Sequence, residues 1–91
     1  MIQVKLTISG KVQGVGYRAS FLHETAKFPH IVGWVRNLPD GKVEACLQGR
    51  EADIQSIVEW SRRGPAHGRV DHVEVSNEAL DLSLVRFEIR R

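Results

Sequence analysis

An α+β sandwich, one antiparallel sheet with two helices on one face, is the fold predicted by this 91-residue sequence. Three observations point to it. Period-two alternation of apolar and polar residues marks strands near both ends, at 2–10 and 84–90. Two stretches with helical spacing, 17–27 and 51–63, each lie between strands. A Pro39-Asp40-Gly41 turn joins two strands directly. The resulting order is β-α-β-β-α-β with one more strand at the end.

Each element has a local cause. In the first strand Ile2, Val4, Leu6 and Ile8 face one way and Gln3, Lys5, Thr7 and Ser9 the other. A glycine-punctuated loop follows, and the first helix is expected over 17–27. Ala19, Leu22 and Ala26 are expected near its inner face, with Phe21 beside them. Phe28-Pro29 stops it, because a residue before proline avoids the helical region. The second strand is expected over 30–37, with Val32, Trp34 and Arg36 opposite Ile31, Gly33, Val35 and Asn37. In the third, at 42–48, Val43, Ala45 and Leu47 point to the core, and Lys42, Glu44, Cys46 and Gln48 away from it.

The second helix, 51–63, carries Ile54, Ile57, Val58 and Ser61 as its buried stripe. Glu51 and Asp53 suit its N-terminus, Arg62 and Arg63 its C-terminus, and Gly64-Pro65 ends it. A fourth strand is expected over 70–76 and a polar loop over 77–82. The last strand, 84–90, alternates Val85, Phe87 and Ile89 with Arg86, Glu88 and Arg90. Two β-α-β units split around one hairpin make a ferredoxin-like sandwich.

Composition limits the function. Length and the absence of repeats or linkers predict one domain over residues 1–91. A core this small leaves room for a shallow site rather than a large enclosed one. The net charge is +2, from nine arginines and four lysines against eleven acidic residues. The basic residues are dispersed, and the longest runs are Arg62-Arg63 and Arg90-Arg91, so no nucleic-acid partner is expected. The exposed face of the first and third strands carries Gln3, Lys5, Thr7, Lys42, Glu44 and Gln48 instead of the aromatics an RNA-binding sheet needs. Cys46 is the single cysteine, which rules out an intrachain disulfide. No leader pattern or membrane-length apolar run is present. A cytoplasmic protein, monomeric and free of membrane, is expected.

The segment Gln13-Gly14-Val15-Gly16-Tyr17-Arg18 carries the chemistry. A strand, a glycine loop and a helix start bring backbone N–H groups into one concavity at the positive end of a helix. Arg18 adds a planar, permanently charged fork. A cation beside that helix end is locally unfavourable unless an anion binds there. Asn37 ends the second strand. If the first two strands are parallel with the third between them, Asn37 and Arg18 share one end of the sheet. His23, His30, His67 and His72 show no metal-ligand spacing, no serine sits in a nucleophile elbow, and Gly14-Val15-Gly16 is no dinucleotide fingerprint. No cofactor or metal is expected. Trp34 and Trp60 suit packing.

Gly10-Lys11-Val12-Gln13-Gly14-Val15-Gly16-Tyr17-Arg18 and Gly33-Trp34-Val35-Arg36-Asn37 resemble the two signature segments of the acylphosphatase family. Gln48-Gly49, Arg63-Gly64-Pro65 and Phe87-Glu88-Ile89 extend the resemblance over nearly the whole chain. One departure is visible: Lys27-Phe28-Pro29-His30 stands where the family usually has a glycine turn. The resemblance implies hydrolysis of acyl phosphates to a carboxylate and inorganic phosphate, without a metal. It implies a phosphate loop from Val12 to Arg18, with Gln13, Gly14, Val15, Gly16, Tyr17 and Arg18 as substrate-binding residues. Arg18 then binds the phosphate and Asn37 holds the attacking water. A non-catalytic anion-binding module, a nucleic-acid-binding domain of the same fold and a carbamoyl-phosphate-handling relative stand as alternatives.

Overall fold

The computed structural model describes all residues from Met1 to Arg91. The elements are β1 (Ile2–Lys11), α1 (Tyr17–Thr25), β2 (Val32–Asn37), β3 (Val43–Gly49), α2 (Glu51–Arg63), β4 (Arg69–Glu78) and β5 (Phe87–Arg90). The strands form one sheet in the order β4-β1-β3-β2-β5. β1 and β2 both pair antiparallel with β3 between them, so they run the same way. The Pro39-Asp40-Gly41 turn does what its sequence predicts: Leu38 donates to the Lys42 carbonyl at 2.8 Å and closes the hairpin.

The expected all-antiparallel sheet is corrected at one edge, where β5 pairs parallel with β2. The path of the chain explains this. β4 ends beside the start of β1, and the connection then crosses that end of the sheet without travelling its length. β5 must therefore start where β2 starts. The crossing is fastened midway: the Gln48 side chain donates to the Asp81 carbonyl at 3.1 Å and accepts from the Asp81 N–H at 2.7 Å. Gln48 and Cys46, expected to face away from the core, are buried in consequence at 3% and 5% exposure. β4 runs on to Glu78, through residues expected to loop, and β5 begins at Phe87 rather than at 84.

The core lies between the sheet and the helices. Leu6, Ile8, Val35, Val43, Ala45 and Leu47 meet Phe21, Ile54 and Ile57, all within 1% of full burial. α2 follows its expected bounds, burying Ile54, Ile57 and Ser61. α1 is turned from its expected face: Tyr17, Phe21 and Thr25 are buried, while Ala19 and Ala26 are exposed and Leu22 is 37% exposed. Aromatic volume decides this rotation. Phe21 stacks on Phe87 at 5.7 Å and meets Trp60 edge-on at 5.6 Å, and Tyr17 lies 5.6 Å from Trp60. Alanines offer far less area to bury.

Candidate active site

The chain leaves β1 through Val12 and turns into α1 over the glycine loop. Gly14 and Gly16 have φ of 74° and 77°. A Cβ at either position would meet nothing within 4 Å. Glycine is required here by conformation and not by space, since the left-handed region costs other residues about 1–2 kcal/mol. Held this way, the N–H groups of Gln13, Gly14, Val15 and Gly16 have no backbone acceptor. Gly16 also caps α1 with no side-chain hydrogen bond, and the first turn has no acidic residue. Free donors and the positive helix end therefore lie at one place.

Arg18 sits in that first turn, the locally unfavourable place for a cation. It belongs to none of the ion pairs of the chain. Its side chain has one hydrogen bond, from Nη1 to the Arg90 carbonyl at 3.4 Å. Asn37 closes β2 opposite Val43. Its Oδ1 is buried without a hydrogen-bond partner. An orphaned buried acceptor costs about 1–3 kcal/mol; Gln3 Oε1, at the other end of the sheet, is in the same state.

The topology brings these groups together. β1 and β2 run the same way, so the loop after one and the end of the other share an end of the sheet. β5, parallel to β2, ends there too. One cavity of about 210 Å³ is lined by Gly14, Gly16, Tyr17 and Arg18 together with Asn37, Ile89 and Arg91. No carboxylate, histidine or cysteine side chain is among the lining residues. The arrangement can grip an anion and orient a small polar molecule beside it. It offers neither a side-chain nucleophile nor a general base at neutral pH.

Two of the sequence-predicted residues do not line the cavity. Gln13 turns its amide to the β2–β3 turn, where Nε2 donates to the Leu38 carbonyl at 2.8 Å and the Lys42 carbonyl at 2.9 Å. Val15 packs against the core. The Tyr17 phenol points inward as well, donating to the Ser61 carbonyl at 2.9 Å. Burial pushes its pKa well above the usual phenol range, so the phenol is neutral and packed inside. Burial, followed by the Asp81 charge, likewise raises the Cys46 thiol, the opposite of what a catalytic thiolate needs. A larger groove of about 1020 Å³ lies at the other end of the sheet, between α2 and the start of β1. It contains none of these groups.

Comparison with known proteins gives the family and the fold. The acylphosphatase family model matches residues 4–89. The chain belongs to the acylphosphatase family. An acylphosphatase of Acaryochloris marina (strain MBIC 11017) is 46% identical over 91 residues, spanning 100% of this chain and 96% of that protein. One of Syntrophobacter fumaroxidans (strain DSM 10017 / MPOB) is 49% identical over 82 residues, covering 90% and 84%. The crystal structure of acylphosphatase from Bacillus subtilis superposes with a TM-score of 0.93 at 34% identity over 100% of both chains.

This acylphosphatase chain keeps its strand register despite the departure after α1. The helix stops at Thr25, and the exit tightens into short turns. Lys27 donates to Glu24, Phe28 to Thr25 and Ile31 to Phe28, at 2.9–3.1 Å. Phe28 tucks against the core, and β2 starts at Val32 rather than at residue 30. The compact exit absorbs the change, so Asn37 still reaches the cavity of Arg18. Sequence reasoning missed Ile89 and Arg91 in the lining. Only the parallel pairing of β5 with β2 puts them there.

Proposed function

We propose that the cavity of Arg18 and Asn37 is the catalytic centre, hydrolysing the carboxyl–phosphate bond of small acyl phosphates by direct attack of water. One observation carries the reading: Asn37, whose Oδ1 has no hydrogen-bond partner in the protein, lines the same small cavity as Arg18, whose guanidinium has no acidic partner. The loop amides and Arg18 grip the non-bridging phosphate oxygens. The Asn37 side-chain amide hydrogen-bonds the attacking water, without taking its proton, and holds its oxygen in line with the leaving carboxylate. That carboxylate leaves readily, its conjugate acid having a pKa near ~4. With no base at hand, the water proton passes to the phosphate itself.

The same reading takes residues 1–91 as one domain, acting as a monomer in the cytoplasm with inorganic phosphate as product and inhibitor. A nucleic-acid partner is disfavoured because the Trp34 ring is already engaged by the Arg36 and Arg90 guanidiniums. The test is turnover of benzoyl phosphate by the wild type and by Arg18→Ala, with inorganic phosphate as competitor. Hydrolysis by the wild type, competitive inhibition and near-complete loss in Arg18→Ala are expected. Equal turnover by both proteins would remove the chemistry from this cavity.

A further inference from the structure

The Arg18 guanidinium is held by a single long contact, 3.4 Å to the Arg90 carbonyl, and that carbonyl belongs to an insecure element. β5 is four residues long, lies at the sheet edge and pairs with β2 alone. Short edge strands fray at their ends, and Arg90 is the last residue of this one. Something beyond the ladder must fix its position if Arg18 is to be aimed.

The side chain of Arg90 supplies it. Its Cζ lies 5.0 Å from the centroid of the Trp34 ring. The Cζ of Arg36 lies at the same distance from that ring. Arg36 and Arg90 are direct partners in the β2–β5 register, where two like charges ordinarily repel. Here the indole attracts both guanidiniums. Glu44 also neutralises Arg36, accepting at 2.7 and 2.9 Å, and Glu88 lies 3.7 Å from Arg90. Trp34 is a firm mount, because β2 is paired on both sides, with β3 and with β5.

We infer that Trp34 and Arg90 form a clamp that fixes the end of β5 and, through the Arg90 carbonyl, aims the Arg18 guanidinium; both are positioning residues for phosphate binding. The inference rests on the reading of Arg18 as the phosphate ligand. It gives Trp34 a role distinct from core packing, because its partly buried indole lies outside the core cluster, on the face of the sheet opposite Val35.

The test is a double-mutant cycle read by the inhibition constant of inorganic phosphate against benzoyl phosphate hydrolysis, with a melting curve for each variant. Trp34→Leu and Arg90→Met are each expected to raise that constant about fivefold, the scale of one lost cation–π contact. The double variant is expected to be about as weak as either single one, since both break the same link. Trp34→Phe keeps an aromatic face and should stay within about twofold of wild type. If Trp34→Leu does not fold, Arg90→Met at the exposed edge with Trp34→Phe still decides. An unchanged constant in Arg90→Met, or effects that multiply in the double variant, overturns the clamp. Arg18→Ala is measured alongside. If it weakens phosphate binding while Arg90→Met does not, the clamp alone fails. If it leaves binding intact, the assignment of Arg18 falls and the clamp with it.

Discussion

The side-chain amide of Gln13 donates to the carbonyl of Leu38 at 2.8 Å, tying the glycine loop to the residue that follows Asn37. The same nitrogen reaches the Lys42 carbonyl at 2.9 Å, across the turn. One side chain thus sets the distance between the group assigned to the phosphate and the group assigned to the water. Gln13→Met keeps the length and removes both donors. It is expected to lower the unfolding free energy by about 1–2 kcal/mol, two ordinary hydrogen bonds, and to reduce kcat. Denaturation curves and steady-state kinetics measure both; a variant unchanged in each would make the link incidental.

Arg18→Ala should nearly abolish hydrolysis, and Arg18→Lys should restore little, because an ammonium lacks the planar fork. Inorganic phosphate should raise the melting temperature of the wild type by binding linkage and that of Arg18→Ala much less. Activity largely kept in Arg18→Lys would contradict the assigned role.

Asn37→Ala separates chemistry from binding. Its side chain makes no hydrogen bond to the protein, and its Oδ1 is buried and unsatisfied. Removing it should therefore leave the fold as stable as before, or slightly more so. A kcat drop of about 10²-fold or more is expected, the scale of losing one positioned polar group. The inhibition constant of phosphate should stay within a few-fold of wild type. A large rise in that constant with kcat preserved would move Asn37 onto the phosphate.

Alkaline pH should unfold the protein partly through Tyr17. Burial raises its pKa in the folded state, so the fold favours the neutral phenol. That contribution is complete below the unfolded-state pKa of about 10 and is lost as pH rises above it. Cys46 acts in the same direction from about pH 8.5 upward. Tyr17→Phe should cost about 1 kcal/mol at neutral pH, for the hydrogen bond to Ser61, and should flatten the fall in stability above about pH 10. Urea midpoints between pH 7 and pH 11 test it; parallel curves for both proteins would count against the phenol.

Hydrolysis should be indifferent to metal chelators, since the cavity offers two arginines, an asparagine and backbone amides in place of a cluster of metal-ligating side chains. Loss of activity in a strong chelator, reversed by Mg²⁺ or Zn²⁺, would require a different mechanism.

The sequence by itself determined what is local. Alternation in β1, the Pro39-Asp40-Gly41 turn, the charge-matched ends of α2 and the glycine loop each depend on neighbours in the chain. Arg18 and Asn37 were legible for a related reason: each closes a compact motif, and the strand order then places both at one end of the sheet. Tertiary structure decided the rest. Whether α1 buries Tyr17 and Phe21 or Ala19 and Leu22 depends on the aromatic rings of Trp60 and Phe87 that meet it, which periodicity within the helix does not encode. Cys46 and Gln48 are buried because Asp81 crosses over them, and alternation along β3 cannot anticipate that cover. The direction of β5 follows from where its connection crosses the sheet. Arg18 is held by a carbonyl 72 residues away, on a backbone atom that every residue carries. Such a partner leaves no mark in residue identity; only the folded path of the chain selects it.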